Sequence, residues 1–117
     1  MALHAGDVYL CRAFGTGKPR PVVVVSREEL NRGGTVLVVP LTTARVSERA
    51  ELPTCVRLQR GEAGLSRDCV AQADALTIID AWSLDTREGY VGALGESALD
   101  RLIAAIGYVI AANCTRN

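Results

Sequence analysis

The sequence predicts an α+β fold in which a small, strongly bent sheet or half-open barrel is followed by a packed C-terminal helix. Three observations support it. Short β-branched runs separated by turn residues occupy most of the chain. Two of these runs, VVVVS and GGTVLVVPL, are continuously apolar. From Ser97 onwards the apolar residues change to helical spacing.

The strands follow in order. DVYLCRAF begins directly after Gly6 and has strand character. VVVVS and GGTVLVVPL lack polar alternation, which is typical of strands buried on both faces or closed into a barrel. REELN between them is long enough for one helical turn. PTCVRLQ alternates as a half-exposed strand does, and CVAQADALTII is expected to form one further strand.

The last segment, SALDRLIAAIGYVIAAN, has the pattern of an amphipathic helix. Ser97 followed by Asp100 resembles a capping box, so the helix is expected to begin there. Its apolar face is expected to pack on the sheet. That face consists of Leu99, Leu102, Ile103, Ile106, Val109 and Ile110.

Composition indicates a soluble globular protein, with 49% hydrophobic and 22% charged residues. The length fits a single domain over residues 1–117. The N-terminus lacks a basic segment followed by a long apolar run, and IAAIGYVIAANC is shorter than the ~20 residues that span a bilayer. We therefore expect a cytoplasmic protein with no membrane association.

The four cysteines are scattered at positions 11, 55, 69 and 114. None forms the close pairs that zinc sites or redox motifs use. They are expected to be small buried apolar residues, and the sequence indicates neither a metal site nor a cofactor.

The formal net charge is zero, but the charge is unevenly distributed. Residues 1–67 contain ten basic and six acidic side chains, whereas residues 68–117 contain three basic and seven acidic ones. A basic face that attracts a polyanion and a surface with charges mixed in space are both compatible with this pattern.

Several familiar chemistries are excluded. His4 is the only histidine, so no pair of histidines can serve as acid and base. The chain contains neither the GxxxxGK[ST] phosphate loop nor the GxSxG nucleophile elbow.

Polar residues at strand ends remain as candidates. Arg20 lies between two prolines at the start of the VVVV run, and its guanidinium can bind a phosphate through two hydrogen bonds. Thr42 and Thr43 follow VVPL, and Asp74 lies in AQADALT. Taken singly, each also fits a structural role: a solvated arginine, a strand end closed by local hydrogen bonds, or a surface ion pair.

Five motifs in order resemble the MazF/PemK toxins of bacterial toxin–antitoxin modules. They are GDVY, RPVVVVS, GGTVLVVPLTT, LPTCV, and GLSRDCVA with the later Ile79-Asp80 pair. The resemblance implies an SH3-like small β-barrel with helices packed on it. It also implies a homodimeric, metal-independent endoribonuclease that cuts single-stranded RNA within short sequences and is neutralised by a cognate antitoxin.

The resemblance assigns roles to particular residues. Arg20 matches the arginine taken to be catalytic, Thr42 the threonine after the second core strand, and Asp74 an acidic position of variable role. Thr43 is a substitute if the alignment slides by one residue. The implied reaction is attack of a ribose 2′-OH on the adjacent phosphate. We expect RNA contacts from Lys18, Thr43, Arg45 and Arg12.

Two departures from the family pattern stand out. The first loop, AFGTGKP, is shorter than in many members, and Ala75 to Ile78 replace the frequent Gln-x-Arg-Thr. Two alternatives therefore stay open. One is a gyrase-inhibiting toxin of the CcdB type, although the C-terminal tryptophan expected of it is absent. The other is a degenerate member that binds RNA or antitoxin without cleaving.

Overall fold

The computed structural model describes residues 2–12 and 17–111. Cys114 and most of the first loop lie outside the described residues. Within them the chain forms seven β-strands, three α-helices and three short 3-10 turns. The strands are β1 Asp7–Cys11, β2 Arg20–Val24, β3 Thr35–Thr42, β4 Cys55–Leu58, β5 Cys69–Gln72, β6 Thr77–Asp80 and β7 Tyr90–Ala93; the helices are α1 Glu28–Asn31, α2 Val46–Arg49 and α3 Glu96–Val109.

The eight-residue strand β3 organises a curled antiparallel sheet. One edge of β3 pairs with β2, where Val23 lies opposite Val39. The other edge is shared, because β6 pairs with the first half of β3 and β5 with its end. The sheet continues outward through β4 on one side and through β1 and β7 on the other.

The centre of the sheet, formed by β2 and β3, is buried on both faces, which explains the uninterrupted valines. Val23 and Val39 belong to an apolar cluster beneath α3, whereas Val22, Val24 and Val38 point to a second cluster on the opposite face. Successive residues of a strand point to opposite faces, so a strand with two buried faces contains no polar alternation. The prediction from VVVVS and GGTVLVVPL is confirmed.

Helix α3 packs on the first cluster through Ala98, Leu102 and Ala105. The predicted α+β fold, a curled half-barrel with a C-terminal helix, is thereby confirmed. The predicted capping box is wrong. The helix begins at Glu96 with Gly95 at the N-cap and no side-chain cap, and Ser97 lies exposed in the first turn.

The single strand expected from CVAQADALTII is two strands. A 3-10 turn over Ala73–Ala75 separates β5 from β6, because β3 pairs with the two strands at different places along its length. Strand β7 was not predicted at all. It pairs with β1 and also lies against the turn Glu62–Gly64.

Buried polar groups tie the N-terminal segment to α1. The Nδ2 atom of Asn31 donates to the carbonyl oxygens of Leu3 at 2.8 Å and Ser26 at 3.0 Å. Its Oδ1 atom is hydrogen-bonded to the Ser26 hydroxyl, which also accepts from the backbone N–H of Leu37. This network holds α1 against the start of the chain.

The described part of the chain has no helix with the length and hydrophobicity needed to cross a membrane. Cys11 and Cys69 are buried and Cys55 is half-buried.

Candidate functional site

A cleft of about 350 Å³ opens where β2 begins and β3 ends. Its walls combine apolar side chains from the sheet with cationic and hydroxyl-bearing residues from the loops. The lining residues are Lys18, Pro19, Arg20, Pro21, Leu41, Thr43, Leu65, Ser66, Arg67 and Cys69. Three of the predicted site residues, Lys18, Arg20 and Thr43, therefore meet in one place.

Arg20 is the first residue of β2 and its side chain is exposed. Its backbone pairs with Cys11 of β1. The pairing of β2 with β3 runs from Val24 opposite Val38 to Val22 opposite Pro40, and the same register extended by two residues leads to Arg20 and Thr42. Thr42 itself is not among the residues that line the cleft, although its neighbours Leu41 and Thr43 are.

The two threonines differ in their surroundings. Thr42 is half-buried, and its Oγ1 atom accepts the backbone N–H of Ala44 at 3.2 Å. That contact orients the hydroxyl and leaves its proton available for donation. Thr43 is exposed and lines the cleft itself.

The opposite wall contains Ser66 and Arg67, which sequence reasoning missed as site residues. Asp68 fixes this wall: its carboxylate accepts the Arg57 side chain at 3.0 Å and the backbone N–H of Arg60 at 2.8 Å. These contacts, the backbone hydrogen bond first, lower the pKa of Asp68 from its ordinary value. The signal available in the sequence was a polar SRD segment directly before a predicted strand, the same rule that selected Arg20.

Cys69 is the only thiol among the residues described along the cleft. Burial raises its pKa to about 11, and the negative charges of Asp68 and Glu62 contribute further. The thiol is therefore protonated at neutral pH and is not a nucleophile there.

The other predicted site residues, Thr42 among them, do not line this cleft. Asp74 is exposed in the turn between β5 and β6, and Arg45 is exposed directly before α2 with a left-handed backbone (φ 52°). Arg12 lies at the same end of the sheet as Arg20 but lines a separate groove. His4 pairs with Glu28 at 3.1 Å.

The cleft is suited to a phosphate group. Lys18, Arg20 and Arg67 supply three cations, and none of them is in an ion pair within residues 2–12 and 17–111. Hydroxyls of Thr43 and Ser66 supply further donors. Along this part of the described surface there is no carboxylate or histidine. Fold and cleft together define a small half-barrel protein with a cationic cleft at its strand ends.

Comparison with known proteins identifies the family within this class. The family model of PemK-like, MazF-like toxins of type II toxin–antitoxin systems matches residues 4–110, and the chain belongs to this family. A probable endoribonuclease MazF of Mycolicibacterium smegmatis is 32% identical over 108 residues, covering 89% of this chain and 93% of that protein. The family resemblance of the sequence motifs is thus confirmed.

Solved structures agree with the fold. An endoribonuclease in complex with its cognate antitoxin, from a mycobacterial species, superimposes with a TM-score of 0.77 at 22% identity, covering 99% of this chain and all of that one. The Mycobacterium tuberculosis toxin MazF-mt6 has a TM-score of 0.71 at 26% identity, over 89% of this chain and 95% of that one. The gyrase-inhibitor alternative is not favoured by these comparisons.

Proposed function

We propose that this MazF/PemK-family toxin is an endoribonuclease that cleaves single-stranded RNA without a metal ion, within short recognition sequences. The observation that supports the proposal is the cleft that Arg20 shares with Lys18, Thr43 and Arg67. Relatives named endoribonucleases support the same activity.

In the proposed reaction the ribose 2′-oxygen attacks the adjacent phosphorus. A new 2′-O–P bond forms and the bond from phosphorus to the 5′-oxygen breaks, which leaves a 2′,3′-cyclic phosphate and a 5′-OH end. Arg20 stabilises the negative charge that develops on the phosphoryl oxygens and stands beside the leaving group. Thr42, between the cleft residues Leu41 and Thr43, donates a hydrogen bond from its hydroxyl to a phosphoryl oxygen and orients the phosphate in this proposal.

The reaction transfers two protons, one to the leaving oxygen and one from the attacking hydroxyl, and they are handled differently. The departing 5′-oxygen receives a proton from Arg20 or from water, and the 2′-hydroxyl proton passes to solvent. Asp74 is exposed outside the described cleft lining, so a base role for it is not part of the mechanism within one subunit. DNA lacks the 2′-hydroxyl and is expected to bind without being cut.

The proposal includes partners and location. A cognate antitoxin neutralises the toxin, as in the solved complex of the mycobacterial relative. An acidic segment of such a protein complements the cations of the cleft. We also propose that the toxin is a homodimer and works in the cytoplasm, where its RNA substrate is found.

The test is incubation of the purified protein with a long single-stranded RNA in excess EDTA, followed by mapping of the ends. We expect discrete cuts with 5′-OH ends. Replacing Arg20 with alanine is expected to slow cleavage about 10²–10³-fold, the usual effect of losing one preorganised charge donor. Arg101→Ala, on the exposed side of α3 away from the cleft, is the matched control and retains full activity.

Intact RNA with the wild-type protein would exclude the nuclease and favour a degenerate member that only binds. Cleavage that survives in Arg20→Ala would show that another group stabilises the transition state. A matched DNA strand serves as the substrate control, and cutting of it would contradict attack by the 2′-hydroxyl.

A further inference from the structure

Trp82 is the most exposed large hydrophobic side chain in the described part of the protein. It is 83% exposed, whereas the next, Ile110, is 66% exposed. Exposing an indole to water is unfavourable, and such a side chain commonly marks a binding surface. Nothing in the reaction at the Arg20 cleft uses this residue.

The backbone beneath Trp82 is firmly held. The residue lies in the 3-10 turn Ala81–Ser83, which the hydrogen bond from the Leu84 N–H to the Ala81 carbonyl closes at 3.1 Å. The N–H of Ala81 donates to Gly34 at 2.8 Å, and the N–H of Arg12 donates to Ser83 at 3.3 Å. The indole is therefore presented by a backbone anchored on both sides.

A groove beside Trp82 gathers two cations. Arg12 and Arg87 line it together with Trp82, Ser83, Leu84, Asp85 and Thr86. Both arginines are exposed, and neither is in an ion pair with another described residue. The Asp85 carboxylate also lies here, but its Oδ1 atom accepts the backbone N–H groups of Arg87 at 3.2 Å and Glu88 at 3.0 Å.

The groove is continuous with the sheet end that carries the cleft. Cys11 pairs with Arg20 on one side and forms a β-bridge with Leu84 on the other. Two strand spacings of ~4.8 Å separate Arg20 from Leu84, roughly 10 Å in all. A strand of RNA bound in the cleft can reach this groove within a few nucleotides.

From this arrangement we propose that Trp82, Arg12 and Arg87 form a second subsite for single-stranded RNA, outside the scissile cleft. An unpaired base stacks on the indole, and the flanking phosphates contact the two guanidinium groups. The subsite rests on the proposed function, because the RNA it holds is the flank of the cleaved substrate. It increases the affinity for RNA and takes no part in bond breaking.

Trp82 is the single tryptophan of the chain, so its fluorescence reports directly on this subsite. The probe is an oligouridylate RNA of about 12 nucleotides, within the range of site sizes on small barrels. It is titrated into the slowly cleaving Arg20→Ala protein, with labelled RNA followed in parallel by anisotropy. We expect saturable quenching that weakens steeply with salt.

Variants distinguish the contribution of base stacking to RNA binding from the contribution of charge. Trp82→Ala is expected to weaken RNA binding about tenfold, within the range for the loss of one stacked base, and Trp82→Phe to restore most of it. Arg87→Gln weakens binding severalfold and flattens the salt dependence, whereas Arg101→Gln changes neither. Circular dichroism checks that each variant is folded.

Two results would overturn the subsite. One is RNA binding by anisotropy with unchanged Trp82 emission. The other is an emission shift that depends on protein concentration in the absence of RNA, which would show that a second copy of the chain covers Trp82. Quenching by RNA in a protein whose wild type fails to cleave would refute the nuclease and leave the subsite standing. Cleavage of RNA without quenching of Trp82 would support the nuclease and refute the subsite.

Discussion

Gly92 lies directly against Ala63, so that a Cβ atom on the glycine would be 2.3 Å from the Ala63 carbonyl oxygen. A Cβ on Gly64 would likewise meet the Val91 carbonyl oxygen at 2.0 Å, and Gly64 has a positive φ of 73°. Strand β7 and the turn before the Ser66–Arg67 wall are thus in backbone contact, and only glycine permits it.

Gly92→Ala is expected to destabilise the protein by about 2–3 kcal/mol, since the backbone must shift to admit the methyl group. The shift also moves the cleft wall, so RNA cleavage falls in the fraction that remains folded. Urea unfolding and single-turnover cleavage measure the two effects. Gly95→Ala is the control, because nothing lies within 4 Å of the added Cβ. Equal stability of the two variants would contradict the close contact.

Thr42→Val and Thr43→Val are expected to differ. The Thr42 hydroxyl accepts the backbone N–H of Ala44, and in the proposed mechanism it is the donor to the phosphate that Thr42→Val removes. Cleavage should fall about 10²-fold for Thr42→Val and severalfold for Thr43→Val. Rates with saturating and limiting RNA separate chemistry from binding. A larger effect at Thr43 would transfer the orienting role to that residue.

The pH dependence of cleavage tests the role of Asp74. With the 2′-hydroxyl proton passing to solvent, the rate should rise with pH across the neutral range. A carboxylate base would instead give a rate that no longer rises with pH across this range. Asp74→Asn is expected to keep the rising profile and to slow cleavage less than tenfold. A loss as large as that of Arg20→Ala would restore Asp74 as a catalytic group.

Asn31→Ala is expected to destabilise the fold without changing the chemistry. It removes the donor to Leu3 and Ser26 and leaves buried polar groups without partners, at a cost of about 2–3 kcal/mol. Asn31 is not among the residues of the cleft wall, so the cleavage rate per folded molecule should be unchanged. Leu30→Ala, at an exposed neighbouring position, provides the control for α1.

The contacts of Asp68 should make stability depend on pH. Its folded-state pKa is lowered, so the stabilisation is present above the unfolded value of about 3.9 and is lost as pH falls through the lower folded value. Asp68→Asn should therefore be less stable than wild type near neutral pH, and the difference should shrink as the medium becomes more acidic. Urea unfolding at a series of pH values checks this. Parallel stability curves would rule out the assigned contacts.

The sequence predicted those parts of the fold that depend on local pattern. Unbroken valines identified β2 and β3, and helical spacing identified α3. The division between β5 and β6 was missed because CVAQADALTII contains no glycine or proline, and the break comes from pairing with distant β3. Strand β7 is short, has a glycine in its centre and is stabilised by β1, so its own residues give little signal.

The candidate site shows the same division between residues that local pattern predicts and residues that depend on distant pairing. Arg20, Thr42 and Thr43 stand at strand ends that a hydrophobic pattern reveals. Ser66 and Arg67 reach the cleft only because β5 pairs with the end of β3, a contact about 30 residues apart in the chain. Side-chain positions that depend on such long-range pairing cannot be read from one segment.

Strand β3 is bonded along both edges and belongs to both apolar clusters, and Thr42 is its last residue. Amides in such a strand exchange with solvent only when the whole molecule opens. We therefore expect the end of β3 at Thr42 to have no local opening of its own through which activity can be reduced. A protein that inhibits this toxin is therefore expected to cover the cleft rather than to distort it. Full activity is expected to return when that protein dissociates.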